Sequence, residues 1–347
     1  MSGKARTIVH PTDFSDASAV AFVHELRIAL ATRALLYLVH VAESESSDEY
    51  DGFPHVRQLL ARWSLMNESD PSEAVGKLGI KVAKIGLKPH DPPGALLHFL
   101  KEHPSDLIVL STHGRDGVAH WLRGSIAEEL SRAVKLSTLF VPPAARGFVD
   151  QNTGKINLSQ VLVPVDHSPS PAAALGAISE FVNSTMEQEA KIELLHIGES
   201  VPLIRSISDG AIVPVALRTG DVVGTILKAA EAQQADLIAM PTAGHQGFLD
   251  AVRGSTSERV LRHAPCPVLT IPAGHRQTDP RDHPARTGDQ VAHALEILGL
   301  DAGATETEIH AAYVRLMQRV HPDQGGTNFL AKQLIDARDA LLRHRAR

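Results

Sequence analysis

Residues 106–130 read DLIVLSTHGRDGVAHWLRGSIAEEL, and residues 236–260 read DLIAMPTAGHQGFLDAVRGSTSERV. The two stretches align without a gap, because Asp106 and Asp236, like Gly124 and Gly254, are 130 positions apart. Each begins with an apolar run typical of a buried strand, passes through a glycine-containing loop and continues as a helix. The chain therefore contains an internal repeat, and this repeat decides the fold.

The repeat extends toward the start of each copy. TIVHPTDFS at residues 7–15 recurs as VLVPVDHS at 161–168, and LLYLVHVAE at 35–43 recurs as IELLHIGES at 192–200. Asp13 and Asp166 are 153 positions apart, whereas the later parts are 130 apart, so the second copy lacks a segment of about two dozen residues. That segment matches Tyr50 to Asp70, an amphipathic stretch typical of a helix.

Strand-like and helix-like segments alternate through each copy. The strand segments are runs of Val, Ile and Leu without polar alternation, which is typical of a parallel sheet buried on both faces. Right-handed crossovers then place helices on both faces of each sheet. We therefore predict an α/β protein with two doubly wound parallel-sheet domains.

Changes in composition predict the domain boundaries. The first domain spans residues 1–143, a linker 144–157 and the second domain 158–273. Residues 274–289 contain almost no large apolar side chain, which predicts a flexible linker. Residues 290–347 show helical patterns without strands, which predicts a small all-α helical module.

Composition excludes several classes of protein. The chain has 34 basic and 40 acidic residues, so its net charge of -6 gives no global attraction to nucleic acid or anionic lipid. Its single cysteine, Cys266, cannot form an intramolecular disulfide, which favours a reducing compartment. No apolar run approaches the roughly 18 residues of a membrane helix. We expect a cytoplasmic protein without nucleic-acid or membrane partners.

A phosphate site is predicted at the carboxyl edge of each sheet. Loop glycines there permit close approach of the backbone, and free amides at a helix N-terminus can hold phosphate oxygens. Asp13 and Asp166 each follow a first strand and could accept hydrogen bonds from ribose hydroxyls. Glycine also serves simply to close tight turns, so that structural interpretation stays open. The loop residues are Gly114, Gly124 and Ser125 in the first copy and Gly244, Gly254 and Ser255 in the second.

Residues 5–143 and 158–273 resemble the universal stress protein family. The family motif is Gly, two residues, Gly, nine residues and Gly-Ser/Thr, and both copies match it except at the first glycine, where Ser111 and Pro241 stand. The resemblance implies an adenine nucleotide alpha hydrolase-like fold with an ATP pocket. In it, Asp13 or Asp166 meets ribose, the backbone of Val41 or Ile197 meets adenine, and Gly114, Gly124, Ser125, Gly244, Gly254 and Ser255 meet phosphates. ATP is favoured in the first copy, because Ser111 keeps an N–H that Pro241 lacks.

The resemblance also implies pairing through the last strands, since members of the family associate in this way. The strands are STLFVPP at 137–143 and PVLTIPA at 267–273. Such pairing hides the main-chain groups of an edge strand. Intramolecular pairing of the two domains and a homo-oligomer both stay open.

The last module resembles a J-domain over about residues 290–345. Thr305 and Glu308 predict a capping box, followed by an apolar helical stripe and then HPDQGG at 321–326. The resemblance implies docking on a DnaK-type chaperone, with Arg315 and Arg319 steering toward an acidic surface. His321, Pro322 and Asp323 would stimulate ATP hydrolysis by the partner. The basic face is thin, because Val314 stands where a J-domain often has Arg or Lys.

These features predict a stress-response adaptor that binds ATP and recruits a DnaK-type chaperone. Two alternatives stay open: an enzyme that hydrolyses ATP or handles adenylyl groups, and a nucleotide-free dimerising scaffold. The adaptor requires no catalytic residue in this chain, and we assign none. We also assign no metal site.

Overall fold

The computed structural model describes residues 6–41, 52–87, 92–112, 136–167, 171–185, 189–205, 211–242, 256–272, 295, 298–300, 304–320, 334, 338 and 341. The chain forms two compact units, residues 1–277 and residues 278–347. The predicted linker at 274–289 lies outside the described residues.

The first unit contains both copies of the repeat. The strands of the first copy are β1 (Thr7–Pro11), β2 (Leu35–Val41), β3 (Lys81–Leu87), β4 (Leu107–Ser111) and β5 (Ser137–Val141). Its helices are α1 (Asp16–Thr32), α2 (Val56–Arg62), α3 (Ala74–Lys77) and α4 (Pro92–Glu102). The second copy has strands β6 (Gln160–Pro164), β7 (Lys191–Ile197), β8 (Val215–Arg218), β9 (Leu237–Thr242) and β10 (Val268–Pro272). Its described helices are α5 (Ala172–Thr185), α6 (Val222–Ala232) and α7 (Thr256–His263).

The ten strands form one sheet in the order β3-β2-β1-β4-β5-β10-β9-β6-β7-β8. Pairing is parallel within each half, as the apolar strand pattern predicts. In each half the strand order reverses once, between β1 and β4 and between β6 and β9. The predicted doubly wound architecture is therefore confirmed in both copies.

The two halves meet at an antiparallel pair of last strands. Val268 of β10 lies opposite Phe140 of β5, and Thr270 lies opposite Thr138. The pairing thus occurs within a single chain, which is the intramolecular form of the predicted arrangement. It covers the open edge that each half would otherwise expose.

Helix α1 begins where its sequence provides a cap. The Ser15 hydroxyl accepts a hydrogen bond from the backbone N–H of Ser18, as an N-cap residue does. At the other end, Arg33 adopts a left-handed conformation with φ of 52°, and its N–H bonds to the carbonyl of Ala29. One face of α1 is buried against the sheet through Ala21, Leu26 and Ala29.

The segment of the first copy that has no counterpart in the second contains α2 and packs against the core of the first copy. Phe53 and Trp63, which flank α2, are buried in the same core as α1. The Trp63 indole N–H donates to the carbonyl of Gln151 at 3.1 Å, and Arg27 of α1 donates to the carbonyl of Gly154 at 2.9 Å. These bonds attach the segment between the two copies to the first copy.

The second unit contains helix α8 (Glu306–Val320) and a small apolar core. The backbone N–H of Thr305 donates to the Glu308 carboxylate at 2.7 Å, and the N–H of Glu308 donates to the Thr305 hydroxyl at 3.3 Å. This is the reciprocal geometry of the predicted capping box. The described core residues are Leu298, Ile309, Ala312, Leu334 and Leu341. In the part of the chain that the structure describes, none of the helices combines the length and apolarity needed to cross a bilayer.

Candidate nucleotide sites and the C-terminal helix

The strand order places the two predicted ribose-binding carboxylates at equivalent points. Asp13 follows β1 and Asp166 follows β6, and each of these strands borders the point where the strand order reverses. Ser111 ends β4 and Pro241 lies near the end of β9, across the same two points. Ligands of doubly wound sheets bind in the crevice at such points, outside the carboxyl ends of the strands.

In the second copy the described residues enclose a cleft of about 190 Å³ at this point. Two predicted site residues, Asp166 and Ile197, line it together with Pro241. Thr256 and Ser257 at the start of α7 also line it, and they directly follow Ser255. The remaining lining residues are Pro164, Val165, Pro171, His196, Val222, Ile226 and Met240.

The predicted phosphate loops lie outside the part of the chain that is described. The first-copy residues concerned are Gly114, Gly124 and Ser125. The second-copy residues are Gly244, Gly254 and Ser255. Their predicted contacts with phosphate stay predictions.

The two carboxylates have different surroundings. Asp13 is half-buried, and its Oδ1 accepts hydrogen bonds from the Ser15 hydroxyl at 2.6 Å and the Ser15 N–H at 3.1 Å. The side chain of Asp166 is 73% exposed, and its Oδ1 accepts from the N–H of His167 at 2.7 Å. Asp13 is therefore held by its neighbours, whereas Asp166 faces solvent.

A histidine supports the Asp turn in each copy. Nδ1 of His40 in β2 lies 2.7 Å from the carbonyl of Thr12, and Nδ1 of His196 in β7 lies 2.9 Å from the carbonyl of Val165. Because a carbonyl only accepts, Nδ1 carries the proton in both rings. No role was predicted for these two residues from the sequence, where they occur within the repeated stretches 35–43 and 192–200. Their recurrence at the end of the second strand of both copies was the signal that could have assigned them to the site.

Aromatic rings differ between the two sites. Phe14 stacks on His40 with ring centroids 3.9 Å apart, and it meets the edge of Phe53 at 5.3 Å. At the equivalent place His167 meets the edge of His196 at 5.0 Å, and its Nε2 lies 3.1 Å from the carbonyl of Ser200. The predicted adenine-binding residue Val41 is 5% exposed, whereas its counterpart Ile197 is partly exposed and lines the second-copy cleft.

The predicted chaperone-docking residues divide between described and undescribed positions. Arg315 is exposed on α8, beside Val314, which is 40% exposed. Arg319 belongs to α8, but its side chain is outside the description, as are His321, Pro322 and Asp323. The helix ends at Val320, directly before the predicted HPD tripeptide.

The described residues show no metal centre. Within these ranges there is no group of three or more His, Cys, Asp or Glu side chains that could hold a metal ion.

The strand order defines an α/β protein with a doubly wound parallel half-sheet in each copy. The family model of the universal stress protein family matches residues 4–142 and 203–272, which is more than half of the chain. This chain belongs to the universal stress protein family, as both copies of the repeat predict.

Individual proteins are also similar to this chain. The universal stress protein MJ0531 of Methanocaldococcus jannaschii is 29% identical over 145 residues, which cover 39% of this chain and 81% of that protein. The solved structure of a functionally unknown protein, PA1789 of Pseudomonas aeruginosa PAO1, shares the fold with a TM-score of 0.52. It has 15% identity and covers 77% of this chain and 92% of that chain. A universal stress protein has also been solved in complex with cAMP, with 22% identity, a TM-score of 0.30, and coverage of 41% of this chain and 99% of that chain.

A further relative concerns the C-terminal module. The mitochondrial import inner membrane translocase subunit TIM14 of Dictyostelium discoideum is 42% identical over 50 residues. This match covers 14% of this chain and 44% of that protein.

Proposed function

We propose that this chain is a stress-response adaptor that binds an adenine nucleotide in its tandem domains and stimulates a DnaK-type chaperone through its C-terminal unit. The observation that carries the nucleotide part is the position of Asp13 and Asp166 at the two reversal points of the sheet. Members of the family bind nucleotides.

The chemistry of the second-copy cleft suits an adenine nucleotide. Asp166 offers carboxylate oxygens to ribose hydroxyls, and the side chains of Val222, Ile226 and Met240 offer apolar surface to a base. Thr256, the first described residue of α7, lines the end of the cleft that we propose for phosphate, because the N-terminal side of a helix favours an anion. Pro241 supplies no N–H to that end.

The first copy is the favoured site. Ser111 keeps the backbone N–H that Pro241 lacks, and hydrogen bonds to Ser15 hold the Asp13 carboxylate in place. A carboxylate held before the ligand arrives loses less conformational freedom on binding. We therefore expect tighter binding at Asp13 than at Asp166.

Calorimetric titration with ATP tests this proposal. The intact chain should bind ATP, Asp13→Ala should remove the tighter phase, and Asp166→Ala should remove the weaker one. Glu73→Ala changes an exposed acidic residue that is not one of the predicted site residues, so it is the matched control and should bind as the intact chain does. Absence of heat with the intact chain would contradict nucleotide binding and favour the scaffold. Steady release of phosphate from ATP would favour the enzyme.

Three features support the co-chaperone part. Helix α8 begins with a capping box, exposes Arg315 and ends directly before HPDQGG. The partial similarity to TIM14 supports the same module. The face of α8 carries few basic residues. We expect weak docking, because complementary charge accelerates the encounter between partners and little of it is available here.

The ATPase rate of a DnaK-type chaperone tests the co-chaperone part. The intact chain should raise the steady-state rate, and His321→Gln should abolish the increase. His310→Gln changes another histidine of the same unit, one that is exposed on α8, and should keep the increase. Equal rates with the intact chain and His321→Gln would contradict the proposal.

A further inference from the structure

A set of buried polar side chains lies beneath the Asp13 turn of the first copy. His10 of β1 and Glu25 of α1 are both 0% exposed. Ser18 of α1 and Thr12, which follows β1, are buried as well. Polar groups in a core lose hydration, so each of them requires an explanation.

Hydrogen bonds connect three of these residues in a directed chain. Nδ1 of His10 lies 3.0 Å from the carbonyl of Val109 and must carry the proton, which leaves Nε2 as an acceptor for the Ser18 hydroxyl at 3.1 Å. The hydroxyls of Ser18 and Thr12 lie 2.9 Å apart. The Thr12 hydroxyl in turn accepts from the backbone N–H of Phe14 at 3.1 Å.

The chain of hydrogen bonds reaches the residues on both sides of the candidate ribose-binding residue. Asp13 lies between Thr12 and Phe14, and Phe14 adopts a left-handed conformation with φ of 62°. Such a conformation is unfavourable for a bulky side chain, and the surrounding bonds have to maintain it. Ser18 contributes a second support, because its N–H donates to Ser15, whose hydroxyl donates to Asp13.

The second copy lacks this set entirely. The spacing of 153 holds from Asp13 and Asp166 to Thr32 and Thr185, whose hydroxyls both donate to the carbonyl four residues earlier. At this spacing the equivalents of His10, Thr12, Ser18 and Glu25 are Val163, Val165, Pro171 and Ile178. All four are buried. The same fold therefore accommodates apolar residues at these four positions.

Stability does not account for the buried Glu25. Neither carboxyl oxygen of Glu25 has a hydrogen-bond partner, and the nearer one lies 3.8 Å from Nδ1 of His10. Burial raises the pKa of Glu25 well above its ordinary value and lowers the pKa of His10 to about 4, so the uncharged forms of both are favoured. Replacement of two buried polar partners by apolar residues of similar shape can be nearly neutral or stabilising.

We propose that His10, Ser18 and Thr12, with Glu25 beneath them, are positioning residues that hold the Asp13 turn for a ribose-bearing ligand in the first copy. This inference rests on the proposed nucleotide binding. The two copies are then unequal sites, one with a carboxylate that is held from the core and one with a carboxylate that faces solvent.

The test transfers the apolar residues of the second copy into the first. Asp166→Ala serves as the background, so that calorimetry with ATP reports the first copy alone. In that background, His10→Val with Glu25→Ile should weaken ATP binding by about tenfold while the urea midpoint of unfolding stays equal or rises. Thr12→Val should weaken binding similarly, and Thr12→Ser, which retains the hydroxyl, should restore it. Ile178→Leu, a core change in the second copy, is the matched control and should have no effect.

Amide hydrogen exchange gives a second measurement that needs no nucleotide. The amides of Phe14 and Ser18 should exchange about tenfold faster in Thr12→Val and in the double variant, whereas that of Leu26 in the middle of α1 should not change. Unchanged ATP affinity in a stable double variant, or unchanged exchange at Phe14 and Ser18, would overturn the positioning role. If the background chain binds no ATP but exchange responds as expected, nucleotide binding fails and the positioning of the turn stands.

Discussion

Leu139 of β5 lies directly opposite Leu269 of β10 at the antiparallel junction of the two half-sheets. Both side chains are buried and belong to one continuous core that extends across both copies. The tandem repeat therefore folds as one sheet with a shared interior.

Truncation of either leucine should destabilise the whole sheet. We expect Leu139→Ala and Leu269→Ala each to lower the free energy of unfolding by about 3 kcal/mol, because each leaves a cavity in a close-packed core. The double variant should deviate from additivity by about 1 kcal/mol, because the two residues are direct neighbours. Urea unfolding followed by circular dichroism measures all three. Leu36→Ala with Leu269→Ala is the control pair, since Leu36 lies four strands away and its effect should add.

Asp236 should matter more for stability than its counterpart Asp106. The Asp236 carboxylate accepts from the N–H groups of Ser159 and Gln160 at 2.8 and 3.0 Å and pairs with Arg146 at 2.7 Å. The Asp106 carboxylate accepts from the N–H of Thr7 at 2.7 Å. Removing a buried charged acceptor leaves its donors unpaired, so we expect Asp236→Ala to cost about 3 kcal/mol. Thermal unfolding of both Ala variants measures the difference, and equal losses would contradict this ranking.

Acid should weaken the fold partly through His24. Burial lowers the pKa of His24 to about 4 from 6.5, so the unfolded state binds a proton at a higher pH than the folded state does. The contribution of His24 to the free energy of unfolding is fully present above pH 6.5 and decreases as the pH falls toward 4. At pH 5 the loss amounts to about 2 kcal/mol.

Volume-conserving replacement measures this contribution. His24→Leu should reduce the fall in unfolding free energy between pH 7 and pH 5, measured by urea unfolding at both pH values. His98→Gln changes an exposed histidine on α4 and should leave the fall as it is in the intact chain. An identical pH dependence in His24→Leu and the intact chain would contradict the assignment.

The capping box should control local opening of α8. Thr305→Ala removes the hydroxyl that accepts from Glu308 and should destabilise the helix by about 1 kcal/mol. Amide exchange in residues 306–320 should then accelerate about fivefold, because local opening follows the free energy of the helix. Peptides from α1 in the same sample provide the internal control. No acceleration in Thr305→Ala would show that the cap does not limit opening.

The structure shows which local features could be predicted from sequence and which could not. Ser15 was predictable as a cap, because capping depends on residues three apart in the chain. The contact between His10 and Ser18 was not predictable in the same way, because a strand and a helix must pack before it forms. For the candidate site, both Asp residues were placed by their position after a strand, whereas the supporting His40 and His196 come from neighbouring strands and depend on sheet order.

By itself the sequence determined that this chain contains two doubly wound domains of one family and a separate helical module. Apolar runs, caps and the constant spacing of repeated residues are local properties, and they are sufficient for that conclusion. Only the tertiary structure decided that β5 pairs with β10 in the same chain and that four core positions are polar in one copy and apolar in the other. An edge strand offers the same backbone groups to any partner, so its own sequence does not select that partner. A buried side chain makes its contacts with residues that are distant in sequence.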